Sequence, residues 1–160
     1  MILSSGIAPV VSLRSAGVHV GLGVDGSSSA DSASLWLEAR QAMLLAKLSS
    51  GAAVGTARMA LECATRGGAG CLGRVGEIGE LSVGSVGDLA VWSLEGPQFA
   101  GVVDDPIEGW LRCGPSSAKH TIVHGRVVVR DYQLVSNKLP EMLETHGRLA
   151  RAMQQSALPL

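Results

Sequence analysis

The pattern of hydrophobic and polar positions predicts helices in the first half of the chain and at its end. Apolar side chains recur at helical spacing over about 34–48, and a second helix is predicted over 56–66. Thr56 is the candidate N-cap of this second helix, and Gly67 and Gly68 are expected to form a left-handed stop after it. One face of the first helix is predicted to carry Leu37, Gln41, Leu44 and Leu48.

Shorter apolar runs predict strands. Residues 18–24 alternate around apolar positions and lead into the small polar run DGSSSADS, which is typical of a buried strand that ends in a loop. After Gly73 the chain is punctuated by glycine, and residues 88–94 predict another strand. Two β-rich runs meet at His124 and Gly125, which indicates a tight hairpin. We therefore expect a small β unit after the first helices.

The last segment predicts a helix that packs back on the rest of the chain. Pro140 suits a first helical turn, and Glu141 and Glu144 precede Arg148 and Arg151, the order of charge that a helix dipole favours. The face expected to dock carries Leu139, Leu143, Ala150 and Met153.

Composition narrows the class of protein. A chain of 160 residues can form one domain with a substantial core. The formal net charge is −1 and no stripe of lysine and arginine is present, so a nucleic-acid partner is not expected. No apolar run approaches the roughly 18 residues of a membrane span, and the first residues lack the positive charge of a signal peptide. The sequence therefore predicts a cytoplasmic protein with no membrane partner.

Three cysteines are present, and their spacing argues against two common uses. Cys63, Cys71 and Cys113 are odd in number, widely separated and not arranged in C-x-x-C pairs. This pattern favours neither a disulfide framework nor a structural zinc site. We expect the three to be small buried hydrophobic residues.

The run from Gly21 to Gly26 matches the dinucleotide-binding pattern G-x-G-x-x-G. A dinucleotide site also needs a helix that begins at the glycines and a second strand that ends in an acidic residue. Here helix follows helix, and Asp25 would repel the phosphates. A dinucleotide-binding module is therefore the weakest of the hypotheses considered for this chain.

The alternative is that the predicted strand delivers Asp25 at its carboxyl end, where α/β folds place their chemistry. An aspartate there could bind a cation, transfer a proton or cap the next turn. Spacing alone does not choose between the capping role and the catalytic roles.

Longer stretches resemble a known family. GVDG, with LWLEARQAMLLAKL, ARMALECATRGGAGCLG and GEIGELSVGSVGDLAVW after it, is similar to the C-terminal portion of amidohydrolase-superfamily aminohydrolases. The pattern GxxGxLxVGxxGDLxV is a strong marker of that superfamily. The resemblance covers about 4–135 and is greatest to the guanine and cytosine deaminase-like branch, particularly its 8-oxoguanine deaminases and hydroxytriazine hydrolases.

This resemblance implies an α/β fold, namely the C-terminal segment of a metal-dependent-hydrolase (β/α)8 barrel plus part of the small β-sandwich domain beside it. Residues 1–73 would form the end of the barrel, with 18–24 as its last strand. Residues 74–135 would belong to the small composite β domain, and 136–160 would form a terminal helix that packs back on the barrel.

The resemblance also implies an activity. In this family one divalent metal, zinc or iron, polarises a water that attacks a ring carbon bearing an amino group, and ammonia leaves. Asp25 would be both a metal ligand and a catalytic residue that takes a proton from the water. Ser27, Ser28 and Asp31 are candidate contacts for a small heterocyclic substrate of the 8-oxoguanine, guanine or cytosine type. Ala30 departs from the asparagine that many relatives carry there.

The sequence also departs from the family pattern. Such a metal site needs an H-x-H pair, one more histidine ligand and an acid–base Glu and His, and none of these motifs is present. His19 is interpreted as a core or barrel-lining residue, and the other three histidines as structural or solvent-facing, namely His120, His124 and His146.

We therefore expect this chain to be inactive and metal-free by itself, as a C-terminal fragment of an aminohydrolase that forms a homo-oligomer through unpaired barrel edges. The competing hypotheses are a non-catalytic oligomerising remnant and a hydroxytriazine-type amidohydrolase.

Overall fold

A computed structural model describes residues 5–26, 29–30 and 32–156. Within this part, four helices and the non-helical segments between them make up the first half of the chain, before Gly73. One wide π-turn, Cys63–Gly67, interrupts the third helix and continues directly into the fourth. The helices of this half are α1 Val10–Ser15, α2 Leu35–Ser50, α3 Ala57–Glu62 and α4 Gly68–Cys71.

Helix α2 buries a different face from the one that its leucines mark. The Ser34 hydroxyl caps the helix by accepting a hydrogen bond from the Leu37 amide at 3.4 Å. The leucines of the predicted face stay exposed, and Leu48 reaches 81% exposure. The buried side chains are Trp36, Ala39, Met43 and Ala46, and this face packs against α3.

The predicted start of the second helix is confirmed, but its predicted stop is wrong. The Thr56 hydroxyl accepts a hydrogen bond from the Met59 amide at 3.1 Å, as a helix cap does. Gly67 and Gly68 have φ of −62° and −58°, so the chain continues as helix through them. Gly73, at φ +68°, is the first left-handed glycine after this helix.

Helix α5, Pro106–Arg112, completes the helical core. Its Leu111 is fully buried, and the Trp110 ring meets the Trp36 ring edge to face at 6.3 Å between centroids. The Glu108 carboxylate accepts a hydrogen bond from the Ala57 amide at 2.7 Å and thereby satisfies the first turn of α3. The core cluster consists of Trp36, Ala39, Met43, Ala57, Ala60 and Leu111.

The second half contains a four-stranded antiparallel sheet in which each strand pairs with the next. The predicted hairpin is confirmed, because His124 and Gly125 both have positive φ, at 50° and 74°. The Asp88 carboxylate fixes this turn by accepting a hydrogen bond from the His124 amide at 2.6 Å. The strands are β1 Leu89–Val91, β2 His120–Val123, β3 Arg126–Arg130 and β4 Gln133–Leu134.

Helix α6, Leu139–Ser156, ends the described chain and buries none of its side chains. On its predicted docking face Leu143 and Met153 are exposed, at 61% and 73%, whereas Leu139 and Ala150 are half-buried. That it packs on a barrel therefore stays a prediction, as does the division at 73 and 135. In the described ranges, no helix combines the length and the apolar character needed to cross a bilayer.

The segment 18–24 is extended but is not the buried strand that the pattern predicts. Val18 and His19 are exposed, and no described strand pairs with the segment. A buried parallel strand needs a hydrogen-bonding neighbour on each side, and the described chain offers a helix instead. The segment therefore lies across α3 and α4, with its Leu22 amide bonded to the Cys63 carbonyl at 3.3 Å.

We predict that Glu108→Gln lowers the free energy of unfolding by about 1–2 kcal/mol, because the charged cap on the Ala57 amide is weakened. Burial alone would raise the pKa of Glu108, but the Ala57 amide and the Arg112 guanidinium bring it below its ordinary value. The stabilisation is then complete above the unfolded pKa and is lost as the pH falls through the folded pKa.

Urea unfolding of both proteins between pH 7 and pH 3 measures this effect. The difference between wild type and Glu108→Gln should shrink below about pH 4. The control is Glu144→Gln on exposed α6. A loss of the same size in the control, or a difference independent of pH, would contradict the assigned cap.

Candidate active site

Asp25 lies where the extended segment turns sharply. Its φ is +61°, a left-handed conformation that aspartate tolerates better than most residues. The Gly26 amide donates a hydrogen bond to Asp25 Oδ1 at 2.7 Å. The Gly26 carbonyl in turn accepts from the amides of Ser29 and Ala30, at 3.0 and 2.9 Å. This tight turn presents the carboxylate outward, where it is exposed to solvent.

The surroundings of Asp25 favour its charged form. The Ser29 hydroxyl, followed by the Gly26 amide, lowers the pKa of the Asp25 carboxyl below its ordinary value. The hydroxyl donates a hydrogen bond to the Gly26 carbonyl at 3.2 Å, so Ser29 also holds the turn. At neutral pH Asp25 is an ionised, accessible carboxylate, which can bind a cation or accept a proton.

A groove of about 420 Å³ lies between the extended segment and the helices. Two arginines line it, and each is already paired with a carboxylate. Arg14 bonds Glu62 at 2.7 Å and also donates to the Cys63 sulfur at 3.2 Å. Arg66 contacts Glu80 at 3.3 Å. Because these cations are neutralised, the groove packs the segment against the helices and offers no strong anion site.

The other predicted site residues do not assemble around Asp25 in the described chain. Ser27, Ser28 and Asp31 lie outside the described residues. His19 packs its ring beside Gly70, whereas His120 faces Asp131 at 3.8 Å, and His124 and His146 lie in the hairpin turn and on α6. His120, His124 and His146 are thus the structural or solvent-facing residues that the sequence suggests, whereas His19 is exposed and is not the core residue expected.

A metal ion does not fit the described residues alone. Over 5–26, 29–30 and 32–156, no three side chains of His, Cys, Asp or Glu come together as a metal would require. Asp25 supplies one oxygen ligand, and a catalytic zinc takes three protein ligands. The predicted metal site is therefore incomplete within the described chain.

The dinucleotide hypothesis lacks its central element. Among the described residues the next helix after Gly26 begins at Leu35, so none of them places a helix N-terminus at the glycine turn. Gly21 has a packing role instead, because a side chain there would come within 3.0 Å of the Gly68 backbone. We therefore discard the nucleotide interpretation of this motif.

The cysteine prediction is correct for one residue of three. Cys63 is fully buried and packs like a small hydrophobic residue. Cys71 is exposed beside the extended segment, and Cys113 is half-buried. Sequence reasoning also missed the role of Gly67 and Gly70, which lie against this segment. The cluster of three glycines over 67–70 was the available signal, and it was interpreted as a helix stop.

Comparison with known proteins shows the protein family to which the chain belongs. The Amidohydrolase family model matches residues 1–128, which is most of the chain. The chain therefore belongs to the amidohydrolase family, and the predicted fold class is confirmed, because its structural neighbours are (β/α)8 barrel amidohydrolases.

Particular relatives are deaminases and triazine hydrolases. The chain is 42% identical over 153 residues to the 8-oxoguanine deaminase of Pseudomonas aeruginosa, covering 96% of this chain and 34% of the relative. It is 40% identical over 136 residues to a 5-methylthioadenosine/S-adenosylhomocysteine deaminase of Halobacterium salinarum, covering 84% and 31%. The chain thus spans about a third of the length of these relatives.

Among solved structures, the chain resembles the atrazine chlorohydrolase of Arthrobacter aurescens complexed with zinc. The TM-score is 0.81 at 35% identity, and the match covers 90% of this chain and 32% of the other. The similarity supports a divalent metal in the full-length members of the family.

We predict that Ser29→Ala raises the pKa of Asp25 towards its ordinary value, because the strongest stabilising partner of the carboxylate is removed. A carbon-detected NMR titration of the Asp25 carboxyl measures this shift. Ser32→Ala, at a half-buried position further along the same loop, serves as the control. An unchanged Asp25 pKa in Ser29→Ala would show that the hydroxyl does not reach the carboxylate.

Proposed function

We propose that the protein containing this chain hydrolytically deaminates a purine-type ring, with 8-oxoguanine or a related guanine-like or cytosine-like base as substrate. The observation that carries this proposal is Asp25, an exposed and ionised carboxylate at the superfamily motif GVDG of an amidohydrolase chain. The reaction replaces an amino group on the ring by oxygen from water and releases ammonia. Asp25 would be the catalytic residue that accepts a proton from this water.

The relatives support a class of substrate, the heterocyclic rings, more strongly than they support any one compound. The curated relatives named above act on 8-oxoguanine and on adenine-containing nucleosides, and all are deaminases by name. The second candidate is a hydroxytriazine-type hydrolase, which the likeness to atrazine chlorohydrolase favours. Both candidates attack an electron-poor ring carbon that bears a leaving group, so Asp25 would have the same role in each.

Asp25 is also the proposed ligand of one divalent metal, zinc or iron. A hard carboxylate oxygen suits either ion, and it would hold the ion while other protein ligands complete the coordination. Because the described residues do not complete such a site, the remaining ligands must come from outside them. Ser27, Ser28 and Asp31 are proposed substrate contacts, since they lie within six residues after Asp25 in the chain.

We further propose a cytoplasmic homo-oligomer. Three cysteines without disulfides suit a reducing compartment. Exposed leucines on α2 and the apolar face of α6 offer area for association. The competing hypothesis, a non-catalytic oligomerising remnant, shares this association but predicts no deamination in any context.

A chimera tests the proposed function directly. This chain would replace the matching third of the Pseudomonas aeruginosa 8-oxoguanine deaminase, to which it is 42% identical. We predict one bound metal per chimera and release of ammonia from 8-oxoguanine. Asp25→Asn in the chimera should lower kcat/KM by more than about a thousandfold and reduce metal content, because a ligand and proton acceptor is removed.

The matched control is Asp104→Asn, which removes an exposed carboxylate far along the sequence from the motif. It should leave turnover within about threefold of the parent chimera. Full activity of Asp25→Asn would overturn the proposed role of Asp25. A folded, metal-loaded chimera that deaminates neither purines nor pyrimidines and hydrolyses no triazine would favour the non-catalytic remnant.

A further inference from the structure

Gly67 lies in contact with the backbone of the segment that carries Asp25. A Cβ atom at Gly67 would lie 2.1 Å from the Val20 carbonyl oxygen and 3.1 Å from its carbonyl carbon. The backbone conformation at Gly67 is ordinary right-handed helix, with φ at −62°. Glycine is therefore required here by the closeness of another chain segment, and its conformational freedom is not the reason.

The wide π-turn provides a hydrogen bond for the same segment. The Cys63 carbonyl accepts the Gly68 amide across the π-turn and also accepts the Leu22 amide at 3.3 Å. A turn of this width leaves carbonyls less regularly aligned, and such turns occur often at functional sites. The helix thus bonds the extended segment at one defined residue, Leu22. An unbroken α-helix would offer such a hydrogen bond less readily.

Two further contacts fix the position of the segment along the helix. A Cβ at Gly70 would lie 2.5 Å from the His19 ring, and the Cys71 sulfur lies 3.6 Å from the His19 carbonyl. Contacts therefore fall at three nearby residues, His19, Val20 and Leu22. A slide by one residue along the helix would break all of them.

We propose that Cys63, Gly67, Gly70 and Cys71 form a helix seat that sets the position of Asp25, and that Gly67 is a positioning residue for the reaction. Leu22 is the last residue of the segment bonded to the helix, and Asp25 follows at the turn. Lifting the segment at Val20 would move the carboxylate away from a reacting centre. The role of Gly67 in the reaction rests on the proposed function, whereas the contacts of the helix seat do not depend on it.

Two adjacent glycines give a matched pair of variants. Gly67→Ala places a methyl group into the Val20 carbonyl, whereas at Gly68 the nearest atom is the Cys63 carbonyl oxygen, at an ordinary 4.0 Å. Both positions are helical, so both substitutions raise helix propensity equally. Only Gly67→Ala should disturb the segment.

The first measurement is amide hydrogen exchange and the solution NMR structure of the 160-residue chain. We expect the Leu22 amide to exchange about tenfold faster in Gly67→Ala, as befits loss of one hydrogen bond. The Asp25 and Gly26 amide resonances should shift, while protection in the α2 core at Met43 stays unchanged. Gly68→Ala should match the wild type at all of these residues.

If Gly67→Ala fails to fold, Gly70→Ala is the milder variant, because it meets the movable His19 ring and not a backbone carbonyl. It should shift the His19 and Leu22 amide resonances in the same direction as Gly67→Ala does. Equal Leu22 exchange in the wild type and in whichever of these two variants folds would overturn the helix seat.

The second measurement uses the chimera and separates this inference from the proposed function. Gly67→Ala should lower kcat about a hundredfold with little change in KM, since a displacement of about 1 Å at the reacting groups has that effect. Gly68→Ala should remain within about threefold of the parent. Equal kcat for the two variants would overturn the positioning role. If the parent chimera deaminates nothing, the proposed function fails, and Leu22 exchange still decides the seat.

Discussion

The structure depends on one close backbone contact, in which the extended segment before Asp25 lies directly on a helix. The contact requires glycine at 67, because the Val20 carbonyl occupies the space of a side chain. It also uses the π-turn, whose Cys63 carbonyl accepts the Leu22 amide. With a side chain at 67, the segment would be held away from α3 and α4 by the thickness of that side chain. Without the π-turn, the Leu22 amide would lose this acceptor. The core beneath holds these helices in place through α2 and the Glu108 cap of α5.

This contact connects the fold to the proposed chemistry. A carboxyl group can bind a metal or accept a proton in catalysis only where it is both charged and correctly placed. The turn at Gly26 and the Ser29 hydroxyl keep Asp25 charged, and the helix seat places it. Within the described residues no three side chains of His, Cys, Asp or Glu come together as a metal would require, so the proposed site must be completed from elsewhere. Under the proposed function, the chain presents one corner of the active site and a scaffold for it.

Much of this could be predicted from sequence, where the signal was local. Thr56 as a cap and His124-Gly125 as a hairpin turn depend on a few neighbouring residues, and the structure confirms both. Long-range contacts were misjudged. Gly67 and Gly68 have the composition of a helix stop, yet the approach of Val20 explains Gly67. The leucines of α2 mark a helix but not its buried face, because alanines face α3. The strand over 18–24 was predicted from its pattern, but pairing needs partners that the described chain does not provide.

Metal content of the purified 160-residue chain tests the account most directly, by elemental analysis on a sample whose mass in solution is measured. The account predicts zinc and iron far below one ion per chain, since a single carboxylate binds such ions weakly. A stoichiometric ion that survives dialysis and is lost in Asp25→Asn would contradict it. That result would mean that residues of this chain complete the site around Asp25 by themselves.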